Sequence, residues 1–401
     1  MNAPRVRVCI AYPADPCGSV PGGIDTFIRG EIDNAPDDIE YHVLGITTDP
    51  AARPVGQWSD CKLRSKSFRF FPVKAFKVTD KRPLVPVIVQ YLFALGSQLS
   101  KLDPDVIEIH RIESLFKARG KPVTAVFHTN MQSLYNKQSD ILWNRWPSLY
   151  FWLEDRLAPK LSSAFCVGEA ATRHFRERFP NLADTCHFQP TWADPMQFQP
   201  PSAAERQAER ERLVAELGVA TSGRWLLTVG RLDASKNPML LLSTFRKLLD
   251  EGYDDLDLLI VGEGQLRGEI ESFIQDAGIA DKVHLLGLKS IGEVARLLRA
   301  ADLFVLSSAY EGMPMAVIEA LACGVPVTTT PVGEVALVVK DGSCGRISKS
   351  HSENDLVEAA AWCLDNLDSI TGEPCLESAG NFSPAAVLQP VYENYRRLAA
   401  L

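Results

Sequence analysis

The sequence has no apolar run long enough to cross a membrane. Its longest candidate, residues 84–96, is shorter than the about 18 residues that such a helix needs, and Pro86 and Gln90 interrupt it. The N-terminus leads into a strand-like run and has no signal-peptide core. We therefore expect any membrane contact to be peripheral, and the protein to be cytoplasmic, including the inner face of the cell membrane.

Paired cysteines and an excess of positive charge are also missing. Nine cysteines are spread along the chain without a CxxC pair, which is typical of free thiols in a reducing compartment. The formal net charge of −8 argues against general nucleic-acid binding. With 401 residues, of which 46% are hydrophobic and 23% charged, the chain is long enough for two or three globular domains.

The most informative stretch lies between two apolar runs of buried-strand type, residues 303–306 and 325–330. Between these runs the pattern predicts a helix from Met315 to Cys323, which Gly324 can end. A strand, a helix and a second strand in this order form one crossover unit of a parallel sheet.

Two carboxylates in this stretch are unusual on physical grounds. Glu319 has apolar neighbours on its helix, where a carboxylate is costly without a hydrogen-bond donor. Glu311 precedes the helix, where free amides and the helix dipole favour an anion. Both are therefore candidates to bind ligand hydroxyls. The alternative is that Glu311 is a charge near the helix cap and Glu319 an ion-paired helix residue.

The motif Glu-x7-Glu, with Gly-x-Pro after the first Glu and an Ala-x-Ala-x-Gly-x-Pro-Val tail, resembles the retaining glycosyltransferases of family 4, which use nucleotide sugars. This resemblance implies the α/β fold called GT-B, with two Rossmann-like domains whose parallel sheets face each other across a cleft. It also implies that Glu311 contacts the donor sugar and Glu319 the donor ribose.

The resemblance extends over nearly the whole chain and gives the domain boundaries. We expect an N-terminal acceptor domain over residues 1–198 and a C-terminal donor domain over residues 199–380. Residues 381–401 are expected to form a last helix that crosses back onto the first domain.

A glycine pair, Gly22 and Gly23, lies between the first predicted strand and the first helix. Such a pair lets the backbone approach an anion at a helix N-terminus, although an ordinary flexible turn has the same composition. By resemblance, the pair lies against the donor phosphate and the acceptor.

Two cations, Arg231 and Lys236, lie in a short loop between a predicted strand and a helix that Asn237 can cap. Arginine binds phosphate oxygens in a forked geometry and lysine adds a point charge. The alternative is two solvated loop cations. By resemblance they bind the donor diphosphate and stabilise it as it leaves. The resemblance also implies that the donor contacts Gly230, Leu286, Gly287, Gly312, Met313, Pro314 and Met315.

Two histidines follow buried-type strands, His110 after residues 106–109 and His128 after residues 123–127. Ligands gather at the carboxyl ends of parallel strands, although a lone histidine is more often structural. By resemblance His128 contacts the donor sugar, with His110 in a supporting role. We place the acceptor near His110, Asn130 and Tyr135. The Asp-x-Asp string at residues 103–105 precedes a strand, so we interpret it as a turn, and we predict no metal or cofactor.

Residues 62–82 contain eight basic residues, one acid and four interleaved phenylalanines. A solvated loop explains this composition. The sharper hypothesis is a peripheral patch that binds an anionic membrane surface.

The resemblance therefore implies transfer of a hexose from a UDP- or GDP-linked sugar to an acceptor hydroxyl, and we expect a carbohydrate or polyprenyl-linked acceptor in polysaccharide or glycolipid biosynthesis. The alternatives are a GT-B epimerase, a sugar phosphorylase with a pyridoxal lysine, and a non-catalytic nucleotide-sugar-binding subunit.

Overall fold

In the computed structural model the chain forms two compact units, Met1–Pro190 with Pro384–Leu401, and Thr191–Ser383. The residues that the structure describes are 5–18, 23–64, 66–76, 85, 87–96, 98–118, 120–128, 147–217 and 223–401. Each unit has one sheet with helices packed against it, so the predicted pair of parallel-sheet α/β domains is confirmed.

The first unit contains an eight-stranded sheet in the order β3-β4-β2-β1-β5-β6-β7-β8. All neighbouring strands are parallel except β3, which pairs antiparallel with β4. The strands are β1 (Val6–Ala11), β2 (Ile39–Thr47), β3 (Ser59–Leu63), β4 (Lys66–Ala75), β5 (Val106–Ile109), β6 (Val123–Phe127), β7 (Ser163–Cys166) and β8 (Cys186–Phe188). Because the chain order reverses between β1 and β5, ligand-binding loops are expected where these two strands end.

The helices of the first unit lie between its strands along the chain. They are α1 (Gly23–Asp33), α2 (Val87–Leu95), α3 (Gln98–Lys101), α4 (Pro147–Leu157) and α5 (Glu169–Arg178), with single turns at Ile112–Phe116, Ala158–Lys160 and Pro180–Leu182.

The basic and aromatic stretch is not a loop where the structure describes it. It forms most of the hairpin of β3 and β4, in which exposed and buried side chains alternate from Ser67 to Phe70 before residues 70–72 are all buried. Phe68, Phe70 and Phe71 are buried in the core, while Arg69 points outward onto the ring of Trp58. Alternation with a period of two is the signature of a half-buried strand, and the loop interpretation was wrong because it did not follow that period.

The second unit contains a parallel six-stranded sheet in the order β11-β10-β9-β12-β13-β14. The strands are β9 (Arg224–Val229), β10 (Leu256–Val261), β11 (Val283–Gly287), β12 (Leu303–Leu306), β13 (Val327–Thr329) and β14 (Gly345–Ile347). Counted within the unit, this is the strand order 3-2-1-4-5-6 of the Rossmann fold. Its switch point lies between β9 and β12.

The helices of the second unit alternate with its strands. They are α6 (Ala203–Leu217), α7 (Pro238–Asp250), α8 (Arg267–Asp276), α9 (Ile291–Ala300), α10 (Met315–Ala322), α11 (Val335–Val338), α12 (Glu353–Asp365), α13 (Leu367–Ile370) and α14 (Glu373–Gly380).

The last helix, α15 (Pro384–Ala399), packs on α1, β1 and β5 and thus belongs to the first unit. It buries an apolar face that includes Val387, Leu388, Val391 and Leu398. Among the described residues, no helix is long and apolar enough to span a membrane. All nine cysteines are free thiols.

Candidate active site

The main candidate site in the second unit lies at the switch point of its sheet, where the loops after β9 and β12 meet. The first loop carries Gly230 to Asn237, and the second carries Ser307 to Pro314. Ser307 Oγ donates to the carbonyl oxygens of Lys236 and Asn237, each at 3.0 Å. The sheet topology and these bonds bring together two loops that are far apart in sequence.

The loop after β9 is shaped by its own polar residues. The Asp233 carboxylate accepts hydrogen bonds from the Ser235 hydroxyl at 2.6 Å and from the Lys236 amide at 3.3 Å. Asn237 has a left-handed backbone (φ 46°), and its side chain accepts from the Leu240 amide at 3.4 Å, which caps α7. The loop therefore presents Lys236 from a hydrogen-bonded turn.

The predicted residues Lys236 and Glu311 form an ion pair that joins the two loops. Lys236 Nζ donates to Glu311 Oε1, which also accepts from the Ser308 hydroxyl at 2.7 Å. The side chains of Lys236 and Glu311 are 27% and 13% exposed, so the pair is accessible to a ligand but shielded from bulk water. Ser308 was not predicted, although it precedes Glu311 by three residues in a helix-entry loop.

Arg231 lies on the solvent side of this pair. Its guanidinium is 3.2 Å from Asp233 Oδ2, and its side chain is 74% exposed. Arg231 and Lys236 line one small recess together with Gly230, Leu232 and Ser308. The recess therefore has two cations in its lining, which is the charge that an anionic ligand requires.

Glu319 lies on α10, the helix that begins directly after the Glu311 loop. No described residue donates a hydrogen bond to its carboxyl group, and the surrounding protein raises its pKa to about 7. The residue remains partly accessible. A carboxyl group in this condition is suited to receive hydroxyl donors from a ligand.

Two glycines allow the neighbouring loops to approach the site. Gly262 (φ 142°) lies against Gly230, and a Cβ at this position would be 1.8 Å from the Gly230 carbonyl oxygen. Gly333 (φ 50°) lies against the Glu311 loop, and a Cβ there would be 2.0 Å from the Gly312 carbonyl oxygen. Any larger residue would displace these loops, so both glycines are needed for the shape of the site.

The other predicted donor contacts fall into two groups. Gly312, Pro314 and Met315 surround the start of α10, where Pro314 stands at the N-cap position. Met313 is buried, and its sulfur accepts from the Thr191 amide at 3.4 Å. The predicted contact between Met313 and the sugar donor would therefore have to be made by the backbone of Met313.

The second group, Leu286 and Gly287, ends β11. The Gly287 carbonyl accepts from the Gly262 amide at 2.9 Å, and Leu286 is half-buried. The loops after β10 and β11 are therefore tied to each other beside the recess.

In the first unit, the structure brings the two predicted histidines together at the switch point between β1 and β5. His110 Nδ1 and His128 Nε2 are 2.9 Å apart. The edge of Phe27 packs against His128, with ring centroids 4.9 Å apart. Burial lowers the pKa of His110 to about 4 and holds the pKa of His128 well below its usual value, so both rings are neutral at pH 7.

Behind the histidines lie two buried carboxyl groups that sequence analysis missed. Glu108 Oε1 is 2.9 Å from His110 Nε2, and Tyr395 of α15 contacts Glu108 and Glu31. Burial raises the pKa of Glu108 to about 7 and that of Glu31 well above its usual value. A glutamate inside an apolar strand was the only signal of this cluster in the sequence.

The loop after β1 is held by Asp15, whose carboxylate accepts from the amide and hydroxyl of Thr48, each at 2.7 Å, and from Arg53 at 3.1 Å. Gly23 begins α1, and a Cβ there would meet nothing within 4 Å. Gly22, Asn130 and Tyr135 lie outside the described residues.

The Asp-x-Asp string is used structurally. Asp105 accepts from the Arg7 amide at 2.8 Å, and Asp103 is 3.9 Å from the Arg7 guanidinium. Within the part of the chain that the structure describes, no three His, Cys, Asp or Glu residues are grouped as metal ligands.

Two family models match the chain. "Glycosyltransferase Family 4" matches residues 21–195, and "Glycosyl transferases group 1" matches residues 209–371. A curated relative, the D-inositol 3-phosphate glycosyltransferase of Corynebacterium jeikeium (strain K411), is 30% identical over 226 residues, which are 54% of this chain and 53% of that protein. The chain spans about half the length of the curated relatives it matches.

Two solved structures are similar over almost the full chain. The sucrose-phosphate synthase of Thermosynechococcus elongatus has a TM-score of 0.76 at 19% identity and covers 99% of this chain and 100% of its own. Anabaena Alr3699/HepE, solved in complex with UDP and glucose, has a TM-score of 0.69 at 16% identity and covers 96% and 99%. These likenesses confirm the predicted GT-B fold. Because the two family models match residues 21–195 and 209–371 in chain order, the protein belongs to the glycosyltransferases of family 4 (glycosyl transferases group 1).

Proposed function

We propose that this protein transfers a hexose from a UDP- or GDP-linked sugar to an acceptor hydroxyl, with retention of the anomeric configuration. The observation that carries the proposal is the Lys236–Glu311 ion pair at the switch point between β9 and β12. It joins a cation suited to phosphate with a carboxylate suited to sugar hydroxyls. The pair lies at the carboxyl ends of the strands, where ligands bind in Rossmann-like domains.

The two cations of the recess stabilise the departing diphosphate in this proposal. Negative charge develops on the diphosphate as the bond to the sugar breaks, and cations already in place lower the free energy of that transition state. Lys236 exchanges part of its interaction with Glu311 for phosphate oxygens, and exposed Arg231 closes over them. We propose that these residues supply the positive charge of the reaction without a metal or cofactor.

Glu311 and Glu319 bind the donor on either side of its diphosphate. Release of Lys236 to phosphate leaves Glu311 free to accept from sugar hydroxyls, as Ser308 already donates to it. Glu319, which has no donor among the described residues, accepts from the ribose hydroxyls. Glu319 thus gains the donors that its partly buried carboxyl group lacks in the free protein, and Glu311 gains sugar hydroxyls in place of the bond from Lys236.

For retention we propose a front-face path, in which the leaving phosphate helps to remove the acceptor proton. The described residues that line the recess include two cations, one glycine, several apolar side chains and the hydroxyl groups of Thr228, Ser307 and Ser308, but no carboxylate or thiol. The Anabaena protein solved with UDP and glucose supports a nucleotide-sugar donor by analogy of fold.

We further propose that the acceptor is a carbohydrate held at a membrane surface, in polysaccharide or glycolipid assembly. Phe93 on α2 is 81% exposed, and Val85 lies exposed just before this helix. Helix α2 packs on β4, where Lys74 is exposed, and Lys62 of β3 is exposed as well. Apolar side chains beside cations suit the interface of an anionic membrane.

Binding of the donor is tested by the thermal stability of the protein with UDP-, GDP- and ADP-sugars. A ligand present at 100 times its dissociation constant adds about 2.7 kcal/mol to the free energy of unfolding. We expect one nucleotide class to raise the melting temperature, and the Lys236→Ala variant to lose most of that rise. The absence of any shift over the whole panel contradicts the proposal.

The reaction itself is followed by release of the nucleoside diphosphate, with and without a mixture of lipid-linked and soluble acceptors. Release that depends on the acceptor supports transfer, and NMR of the product gives the anomeric configuration. Conversion of the donor without acceptor identifies an epimerase. Donor binding without turnover identifies a binding subunit, and an absorbance band of pyridoxal phosphate identifies a phosphorylase.

The membrane surface is tested by sedimentation with anionic and neutral vesicles. We expect binding to anionic vesicles, and weaker binding after Phe93→Ser. Equal binding to both vesicle types, or none, removes this part of the proposal.

A further inference from the structure

A continuous network of buried polar side chains connects the last helix to His128 in the first unit. It begins at Tyr395 of α15 and passes through the carboxyl groups of Glu31 and Glu108 to His110. It ends at the His110–His128 contact. The side chains of Glu108 and His110 have no exposed surface, so this part of the network is closed to bulk solvent.

Above the pKa of Glu108, which is about 7, the carboxyl groups of Glu31 and Glu108 share one proton, because burial keeps the pKa of Glu31 well above its usual value. The Tyr395 hydroxyl contacts Glu108 Oε2 and lies 2.8 Å from Glu31 Oε1. A hydroxyl group has one proton, so Tyr395 donates to one carboxyl group and accepts from the other, unless the two acids share a proton directly. Two buried carboxyl groups that contact the same hydroxyl are not both ionised, because each would be desolvated beside a like charge. In each arrangement the shared proton lies on the side of Glu108 that faces Tyr395 and Glu31.

The opposite oxygen of Glu108 is therefore an acceptor. Glu108 Oε1 lies 2.9 Å from His110 Nε2, with poorer alignment than a regular hydrogen bond, and neither atom has another partner among the described residues. A buried N–H group without an acceptor is costly, as is a buried oxygen without a donor. The arrangement that satisfies both atoms places the proton of neutral His110 on Nε2.

The same reasoning extends to His128. Since Nδ1 of His110 then has a free lone pair, the 2.9 Å contact requires the proton of His128 on Nε2. The other nitrogen of His128, Nδ1, is left as an acceptor with no partner among the described residues. We propose that Glu108, held by Glu31 and Tyr395, is a positioning residue that fixes His128 as the neutral Nε2–H tautomer, with Nδ1 presented as an acceptor for a ligand hydroxyl.

The identity of that ligand as the transferred sugar rests on the proposed function, but the tautomer does not. A fixed acceptor at Nδ1 selects a hydroxyl that donates, and it cannot bind an oxygen that only accepts. The last helix, distant in sequence, thereby acts on a residue at the switch point of the first sheet.

The tautomer is measured by long-range proton–nitrogen NMR of protein labelled with ¹⁵N-histidine. The signals are assigned by comparison with His110→Asn and His128→Asn variants. In the wild-type protein, at a pH above the Glu108 pKa of about 7, we expect the Nε2 of His128 to be protonated and its Nδ1 to be unprotonated. A His128 protonated on Nδ1, or one that exchanges between both tautomers, overturns the proposal.

The role of Glu108 is tested with Glu108→Gln and Tyr395→Phe, and Tyr392→Phe is the matched control. Tyr392 lies on the same helix, but its hydroxyl donates to the backbone carbonyl of Glu31 at 2.7 Å rather than to a carboxyl group. An amide at position 108 can donate to His110 Nε2, so we expect the Nδ1–H tautomer of His128 to become populated in that variant. Tyr395→Phe retains the shape of the core and should produce a mixture, while Tyr392→Phe should retain the wild-type signals.

If His128 keeps its tautomer in both Glu108→Gln and Tyr395→Phe, the positioning role is wrong. Turnover gives the second measurement: kcat should fall between ~10-fold and ~10²-fold in Glu108→Gln with little change in the KM of the acceptor. A wild-type protein without transferase activity but with the expected tautomer would refute the proposed function and leave this inference standing.

Discussion

Both units have polar groups at the carboxyl ends of their parallel strands, but these groups are charged in the second unit and neutral in the first. In the second unit, Lys236, Glu311 and Arg231 are charged and partly exposed at the switch point. In the first unit, the groups at the switch point are buried, and burial drives them to neutral forms, with the pKa of His110 lowered to about 4 and that of Glu108 raised to about 7.

The difference follows from solvation. A cation that retains part of its hydration keeps its charge at moderate cost, whereas a fully buried acid or base loses its charge unless a partner compensates it. The second unit is thus suited to an ionic ligand such as a diphosphate. The first unit is suited to neutral hydroxyl groups, which require donors and acceptors in fixed directions.

The largest expected effect is on the charged site. Lys236→Ala should lower turnover by roughly 10²-fold or more, because a cation on the leaving phosphate acts mainly in the transition state. Lys247→Ala is the control, since this lysine lies on α7 and contacts Asn354 rather than the recess. Steady-state kinetics of both variants tests whether Lys236 acts on the leaving phosphate, and near-normal turnover of Lys236→Ala would count against that role.

A second test breaks the shape of the charged site without changing its charge. Gly333→Ala places a Cβ 2.0 Å from the Gly312 carbonyl at a positive φ of 50°, so we expect a loss of roughly 1–3 kcal/mol in the free energy of unfolding. Activity should fall with it, because the Glu311 loop must move. Gly268→Ala, on α8 where a Cβ meets nothing within 4 Å, should leave both unchanged or raise stability slightly. Calorimetry and donor binding measure the pair, and equal behaviour of the two variants would refute the close-packing argument.

Glu319 is intermediate between the charged groups of the second unit and the neutral groups of the first. Its carboxyl group is enclosed but accessible, and burial raises its pKa to about 7. Ribose hydroxyls that donate to it favour the ionised form, so the dissociation constant of a nucleotide sugar should rise about tenfold for each pH unit below 7 and level off above it. Glu319→Gln should remove this dependence, and Glu319→Ala should weaken binding at every pH. Calorimetric titration between about pH 6 and about pH 8 checks the sign. An affinity that does not change with pH, or that is unchanged in both variants, contradicts the ribose role.

The smallest expected effect is on the stability of the neutral site. The pKa of Glu108 is about 7 in the folded protein and 4.5 is its usual value, so between these values the folded chain keeps a proton that the unfolded chain has lost. The free energy of unfolding should therefore decrease as the pH rises through this window, by at most about 1.4 kcal/mol per pH unit for one proton. Glu108→Gln should flatten this decrease in melting temperatures measured at several pH values. A variant with the same slope as the wild type would show that Glu108 does not carry the proton.

Much of the fold was predictable because its strands are short apolar runs and its helices have recognisable ends. The strands Val123–Phe127 and Leu303–Leu306 have the predicted bounds, and the helix predicted from Met315 ends one residue early, at Ala322. The hairpin of β3 and β4 was missed because the stretch was interpreted from its charge. The exposed Arg69 between the buried Phe68 and Phe70 is the strand pattern that this interpretation overlooked. The assignment of Lys236 and Glu311 as site residues remains a prediction, although the structure places them in one ion pair.

By itself the sequence determined the short apolar strands, the family and the short motifs at strand ends, because each of these depends on neighbouring residues. Only the tertiary structure decided which distant groups meet. Lys236 and Glu311 are 75 residues apart, and Glu108 and Tyr395 are 287 residues apart. It also decided which groups are charged, since the pKa of a carboxyl or imidazole group depends on the water and partners around it, and these are set by residues that come from every part of the chain.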